Sequence, residues 1–216
     1  MLNRFFRQFS GPSGLLGRLA GRLMARMNGP LNDWVVDLLQ LSPRDRVLEV
    51  GFGPGLAVER IAARTGQGRV VGVDHSELMR RQAARRNRAA LAAGRVELHV
   101  GSVERLPLEA AGFTHALAVN SLQFWPDLPA ALAELRRVLR PEGRLLLALR
   151  MRRENAGRFD RSKHGMTDER LAQIVAAAER AGFRDLETVR REIRGESLTA
   201  ILARVSRGDE TGRRDR

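Results

Sequence analysis

The sequence predicts an α/β fold with three layers, built on a doubly wound, mostly parallel sheet that ends in an antiparallel C-terminal hairpin. Short aliphatic or β-branched runs alternate with helical stretches between residues 42 and 150. The runs are continuously apolar, as in strands that are buried on both faces. Two strand-like segments then close the chain, with only Gly195-Glu196 between them.

The alternation defines the elements in order. A helix over 33–41 ends before Ser42-Pro43, and the body of the domain follows. Strands are predicted at 47–50, 70–73, 96–100, 116–119 and 145–149, with helices at 56–64, 76–93 and 128–140. Ser76 is a typical N-cap residue. A last helix begins after Thr167 and ends at Gly182, and the hairpin strands lie at 185–193 and 198–206.

The N-terminal segment has a pattern of its own. Leucine or methionine recurs every four residues over 15–27, and Arg18, Arg22 and Arg26 do the same one position earlier. This pattern predicts a basic amphipathic helix. Three roles are open for this helix: it packs on the domain, it covers a substrate site as a lid, or it contacts an anionic membrane. We therefore divide the chain into an N-terminal extension (1–30), one domain (31–207) and a charged tail (208–216).

Composition narrows the function classes. The chain has no cysteine and no tyrosine, so thiol and phenol chemistry and cysteine-based metal sites are excluded. The net charge of +13 comes from arginine, since Lys163 is the only lysine. Such usage is typical of a GC-rich genome, so the charge alone does not indicate a nucleic-acid partner. No transmembrane run or signal peptide is evident, and we expect a soluble cytoplasmic protein.

The chemistry is predicted at the end of the first strand of the domain. There the chain reads Glu49-Val50-Gly51-Phe52-Gly53-Pro54-Gly55 and enters a helix. Glycines allow this tight turn and the close approach of a ligand. The spacing is acid-x-G-x-G-x-G and not the dinucleotide pattern G-x-G-x-x-G, because the sixth position from Gly51 is Leu56. Asp74 ends the second strand, where a carboxylate can accept ribose hydroxyls.

These stretches resemble the Rossmann-like, class I S-adenosylmethionine (AdoMet)-dependent methyltransferases, nearest to their small-molecule branch. The resemblance implies the seven-strand fold of that family, AdoMet as cofactor and S-adenosylhomocysteine (AdoHcy) as product. The cofactor-binding residues that it implies are Glu49, Gly51, Gly53, Gly55, Asp74, His75, Met79, Ser102, Val103 and Asn120. Among them His75 and Met79 flank the adenine, and Ser102 stands where many members have an aspartate.

Methyl transfer from a sulfonium is an in-line displacement, so the protein mainly holds the reacting atoms collinear. The residues expected to face the methyl group or the acceptor are Asn120, Gln123, Trp125 and His164. We interpret His99 and His115 as structural. No spacing of His, Asp or Glu indicates a metal site, and no metal is expected.

The acceptor is predicted to be a small molecule, with lipid-like compounds included. The Asn/Asp-Pro-Pro-aromatic tetrad of DNA amino-methyltransferases is missing, since the chain reads Asn120-Ser121-Leu122-Gln123. Arginines at 80, 81, 85, 86 and 88 crowd the 76–93 helix, so an RNA substrate stays open, as does a protein substrate. A non-catalytic AdoMet-binding module is the alternative from another class. A monomer and a homodimer are equally compatible with the sequence.

Overall fold

A computed structural model describes residues 29–153 and 165–206. These residues form one seven-stranded sheet with the strand order β3-β2-β1-β4-β5-β7-β6. The strands are β1 (Arg46–Val50), β2 (Arg69–Asp74), β3 (Val96–Val100), β4 (Phe113–Val119), β5 (Leu139–Arg150), β6 (Phe183–Ile193) and β7 (Glu196–Val205). β1 to β5 are parallel, whereas β7 pairs antiparallel with both β5 and β6. The predicted fold class is confirmed.

Helices cover both faces of this sheet. They are α1 (Gly29–Leu38), α2 (Leu56–Arg64), α3 (Glu77–Arg86), α4 (Arg88–Ala92), α5 (Leu128–Val138) and α6 (Asp168–Arg180), with a short 3₁₀ turn at Leu122–Phe124. One apolar cluster packs under α5 and α6, and a second packs under α1, α2 and α3. The central strands of the sheet are therefore buried on both sides, as their continuous apolar runs predict.

Two helices differ most clearly from their predicted bounds. The helix expected over 33–41 begins four residues earlier, because Pro30 is compatible with a first helical turn. The single helix expected over 76–93 is divided at Asn87. The Asn87 side-chain Nδ2 donates to the carbonyl oxygens of Ala83 and Gly55, so this residue ends α3 and ties it to the glycine-rich turn.

β3 has its predicted bounds, and the other strands are longer than the sequence indicates, because pairing continues beyond their apolar centres. β4 begins at Phe113 and β5 at Leu139, where the sequence predicts the end of a helix. The amphipathic segment 15–27, the tail 208–216 and His164 lie outside the described residues. Within the described residues, no helix is both long enough and apolar enough to cross a membrane.

Candidate functional site

The glycine-rich turn between β1 and α2 contains three glycines with left-handed backbones: φ is 75° at Gly51, 52° at Gly53 and 77° at Gly55. A Cβ at Gly51 would lie 2.4 Å from Ser121 Cβ, and one at Gly55 would lie 2.6 Å from Ala83 Cβ. A Cβ at Gly53 would meet nothing within 4 Å. The outer two glycines thus allow close packing, and the middle one borders open space.

Asp74 closes the other side of this space. Its Oδ2 accepts the Gly53 N–H at 2.8 Å and its Oδ1 accepts the Ser76 N–H at 2.9 Å. Burial raises the pKa of the Asp74 carboxyl, and these two hydrogen bonds oppose that rise. Each carboxylate oxygen has room for a further donor. Asp74 therefore orders the turn and still offers lone pairs to a ligand.

Glu49 lies beneath the turn and is almost completely buried, with 2% of its surface exposed. Burial, followed by the charge of Asp74, raises the pKa of Glu49 to about 8, against a hydrogen bond from the Val58 N–H. Its Oε2 has no partner among the described residues. An unpartnered buried oxygen is costly, so this atom marks a place where a ligand donor fits.

A cavity of about 470 Å³ opens at the carboxyl edge of β1, β2 and β4. The predicted site residues that line it are Glu49, Gly51, Gly53, Asp74, His75, Met79, Ser102, Val103, Asn120 and Trp125. Gly55 and Gln123 do not line it. Gly55 packs against α3 instead, and Gln123 Nε2 donates to the Asn120 carbonyl at 2.7 Å.

The turn after β3 holds Ser102 and Val103 at the cavity. The Ser102 hydroxyl accepts the Glu104 N–H at 3.3 Å and lies 3.5 Å from Oε2 of the same residue. The other Glu104 oxygen accepts the Asp127 N–H at 2.7 Å. The Ser102 hydroxyl is therefore engaged within its own turn, while Val103 is buried against the cavity.

The chain after β4 forms the opposite wall. Asn120 has a left-handed backbone with φ of 49°, and its Oδ1 accepts the Arg150 N–H at 2.8 Å. Ser121 Oγ donates to the Val50 carbonyl at 3.0 Å, which joins this wall to β1. Phe124 is 42% exposed and borders the cavity beside the half-buried Trp125.

Asn32 is a cavity residue that sequence reasoning missed. It lies on α1 among the buried residues Leu31, Trp34 and Val35, and it is itself 6% exposed. The Arg60 side chain of α2 holds this helix in place through Asp33 at 2.8 Å and the Gly29 carbonyl at 2.6 Å. A polar residue within an otherwise apolar helical face was the signal that could have found it.

Two histidines, His75 and His115, lie outside the wall formed by the chain after β4. His75 follows Asp74 and is exposed, with its Nδ1 3.6 Å from Asp74 Oδ1. His115 is buried next to Asp45 at the amino end of the sheet, where burial lowers its pKa. Across residues 29–153 and 165–206, no three His, Asp or Glu side chains are grouped to hold a metal ion.

The arginines of α3 are largely matched by acids. Arg80 and Arg81 both bond to Glu77, which lowers the pKa of that carboxyl. Arg86 reaches back to Glu59 and to the Pro54 carbonyl of the glycine-rich turn. Three of the five crowded arginines are therefore engaged in ion pairs, and Arg86 in addition contacts the turn.

Comparison with known proteins identifies relatives of this chain. A family model described as a methyltransferase domain matches residues 47–143. The uncharacterized methyltransferase YdaC of Bacillus subtilis is 31% identical over 186 residues, which cover 86% of this chain and 97% of YdaC. The nocamycin O-methyltransferase of Saccharothrix syringae is 35% identical over 54% of this chain, which spans 41% of that enzyme.

Solved structures show the same fold. A SAM-dependent methyltransferase from Aquifex aeolicus superposes with a TM-score of 0.66. The match covers 81% of this chain and 89% of the Aquifex chain at 20% sequence identity.

Proposed function

The chain belongs to the class I AdoMet-dependent methyltransferases, and on that premise we propose that it transfers a methyl group to a small, largely apolar acceptor by in-line displacement. Bound AdoMet supplies a methyl group on a sulfonium, which is electrophilic without help from an acid or a metal. The task of the protein is then to hold the cofactor, orient the acceptor and exclude water.

One observation supports this proposal most directly: the middle glycine of the turn borders open space while Asp74 is fixed opposite it. The family resemblance assigns this space to the cofactor, and the residues present fit that ligand. Asp74 has lone pairs left for two ribose hydroxyls, and Glu49 Oε2 can accept from an ammonium group. Ser102, Val103, His75 and Met79 also line the cavity, which is compatible with the adenine contacts that the resemblance implies.

The acceptor is proposed to approach from the wall formed by Phe124, Trp125 and Pro126. An exposed phenylalanine at the mouth of a cavity is typical of a surface that receives an apolar ligand. The nocamycin O-methyltransferase, one of the relatives, is named for a small-molecule substrate. Arg80, Arg81 and Arg86 are engaged in ion pairs, so they offer less free positive charge for the phosphate backbone of an RNA substrate.

The experiment has two stages. Isothermal titration of the full chain with AdoMet and AdoHcy should show binding, and the Gly53→Arg variant should lose it, because the side chain enters the open space. Incubation with AdoMet labelled on the methyl group and a metabolite extract should then give a product of higher mass. No cofactor binding contradicts the whole proposal, and binding without any labelled product contradicts catalysis.

A further inference from the structure

The Asn120 side chain has a defined polarity. Its Oδ1 accepts the backbone N–H of Arg150 at 2.8 Å. Only an oxygen can accept from that N–H, so the orientation of the amide is fixed. The other end of the amide is Asn120 Nδ2, which is buried and has no hydrogen-bond partner among the described residues. Since Asn120 lines the cavity, the wall after β4 offers a donor that is not yet used.

The backbone holds this arrangement in place. The Asn120 N–H donates to the Ala148 carbonyl at 2.8 Å, and its own carbonyl accepts from Gln123 at 2.7 Å. Rotation of the amide by 180° would bring its NH₂ group against the Arg150 N–H and leave both donors unpaired. That exchange is unfavourable, because a buried donor without a partner costs about 1–3 kcal/mol. The donor therefore stays available to a ligand.

The titratable side chains of the described cavity lie elsewhere. Glu49 and Asp74 lie beneath and opposite the glycine-rich turn, and His75 follows Asp74. The wall from Asn120 to Pro126 contains no carboxylate, histidine or lysine. A protonated amine would bring only hydrogens toward Asn120 Nδ2, which cannot accept them. An alcohol can accept from Nδ2 through its oxygen, but its proton must then be removed by a base, and this wall does not supply one. An ionised oxygen presents a lone pair and has no proton to remove.

We propose that the acceptor presents an ionised oxygen, a carboxylate or a phenolate, to Asn120 Nδ2. This inference rests on the proposed function. The acceptor oxygen forms a bond to the methyl carbon while the carbon–sulfur bond breaks, and the sulfur retains that electron pair. The acceptor begins as an anion and ends as a neutral ester or ether, so no proton has to be removed. Asn120 binds and orients the oxygen.

The test compares two probes of opposite polarity on the full chain saturated with AdoHcy. Decanoate and decylamine have similar apolar tails for the wall at Phe124 and Trp125. We expect decanoate to bind at least about tenfold more tightly in the wild type, which is the magnitude of one hydrogen bond to a charged group. In Asn120→Asp one carboxylate oxygen can still accept the Arg150 N–H. The other oxygen replaces the NH₂ donor with an anionic acceptor. The preference should therefore reverse, so that decylamine binds more tightly than decanoate.

Gln173→Glu makes the same chemical change on the exposed surface of α6 and should leave the preference as it is. An equal affinity for both probes, no binding of either, or an unchanged preference in Asn120→Asp overturns the inference. So does a loss of AdoHcy affinity in Asn120→Asp, since the amide would then serve the cofactor. Failure of AdoHcy to bind the wild type is distinct, because it contradicts the proposed function itself.

The labelled product gives a second readout. Treatment with alkali releases methanol from a methyl ester and leaves an aryl methyl ether intact, so it separates a carboxylate acceptor from a phenolate. Either result supports the inference. A methyl group found on nitrogen or carbon overturns it.

Discussion

The backbone N–H of Gly53 donates a 2.8 Å hydrogen bond to Oδ2 of Asp74, which joins the glycine-rich turn to the end of β2 across the cavity. The two residues are far apart in sequence, and the parallel pairing of β1 with β2 brings them together. The carboxylate thereby fixes the turn before any ligand arrives. Such preorganisation favours binding, because less conformational freedom is lost when the ligand is bound.

Removal of this carboxylate should weaken cofactor binding. Asp74→Ala leaves the N–H groups of Gly53 and Ser76 without their acceptor and removes the proposed ribose partner. We expect the AdoHcy dissociation constant to rise by about 10- to 100-fold in isothermal titration. Asp37→Ala, which removes an exposed partner of Arg64, is the matched control and should bind normally. Equal affinity of Asp74→Ala and wild type would contradict the assignment.

Substitutions at two glycines of the turn should have different effects, one on protein stability and the other on AdoHcy binding. Gly55→Ala places a methyl group 2.6 Å from Ala83 Cβ, so it should lower the melting temperature strongly. Gly53→Ala meets no protein atom within 4 Å and should cost only the strain of its left-handed backbone, about 1 kcal/mol. Its main effect should be weaker AdoHcy binding. Thermal melts with and without AdoHcy measure both effects, and similar melting temperatures for the two variants would refute the distinction.

Glu49 should make stability depend on pH. Its pKa in the folded protein is raised to about 8, so the neutral acid is favoured by folding. The contribution of Glu49 to the free energy of unfolding is complete below the ordinary carboxyl pKa and is lost as pH rises through 8. Between these two pH values the free energy of unfolding of the wild type should fall by up to about 1.4 kcal/mol per pH unit relative to that of Glu49→Gln. Urea unfolding from pH 5 to 9 measures it, and parallel curves for the two proteins would exclude the effect.

The two tryptophans provide an optical test of the cavity. Trp34 belongs to α1 and is buried in the core, whereas Trp125 borders the cavity. In Trp34→Phe the remaining indole is Trp125, and its emission should change when AdoHcy is added. In Trp125→Phe the emission of Trp34 should stay constant. A response from Trp34 alone would place the ligand elsewhere.

Removal of residues 1–28 should leave cofactor binding intact. Helix α1 begins at Gly29, and Arg60 anchors it through the Gly29 carbonyl and Asp33. The described cavity residues are all retained in such a truncation. We expect normal AdoHcy titration and a reduced rate of acceptor methylation, in keeping with a role of the extension at the substrate side. Unchanged acceptor kinetics would exclude the lid, and absence of binding to anionic vesicles by the full chain would exclude membrane contact.

Much of the site was readable from the sequence because its signals are local. The three glycines allow left-handed backbones at alternate positions, and an acid at a strand end is visible in the chain itself. Gly53 and Asp74 were predicted on these grounds and line the cavity. Asn32 was missed because its signal is weak: one polar residue on an apolar helix becomes a cavity residue only through the packing of α1 on α2.

The sequence by itself determined the fold class, the family and the edge of the sheet at which the cofactor site is predicted. Periodicity and motif spacing depend on nearest neighbours along the chain, and these are present in the sequence. Only the tertiary structure decided that Gly55 packs against α3 while Gly53 faces open space, and that Asn120 presents its NH₂ group and not its oxygen. These outcomes depend on which distant backbone groups arrive beside each residue, Ala83 in one case and Arg150 in the other.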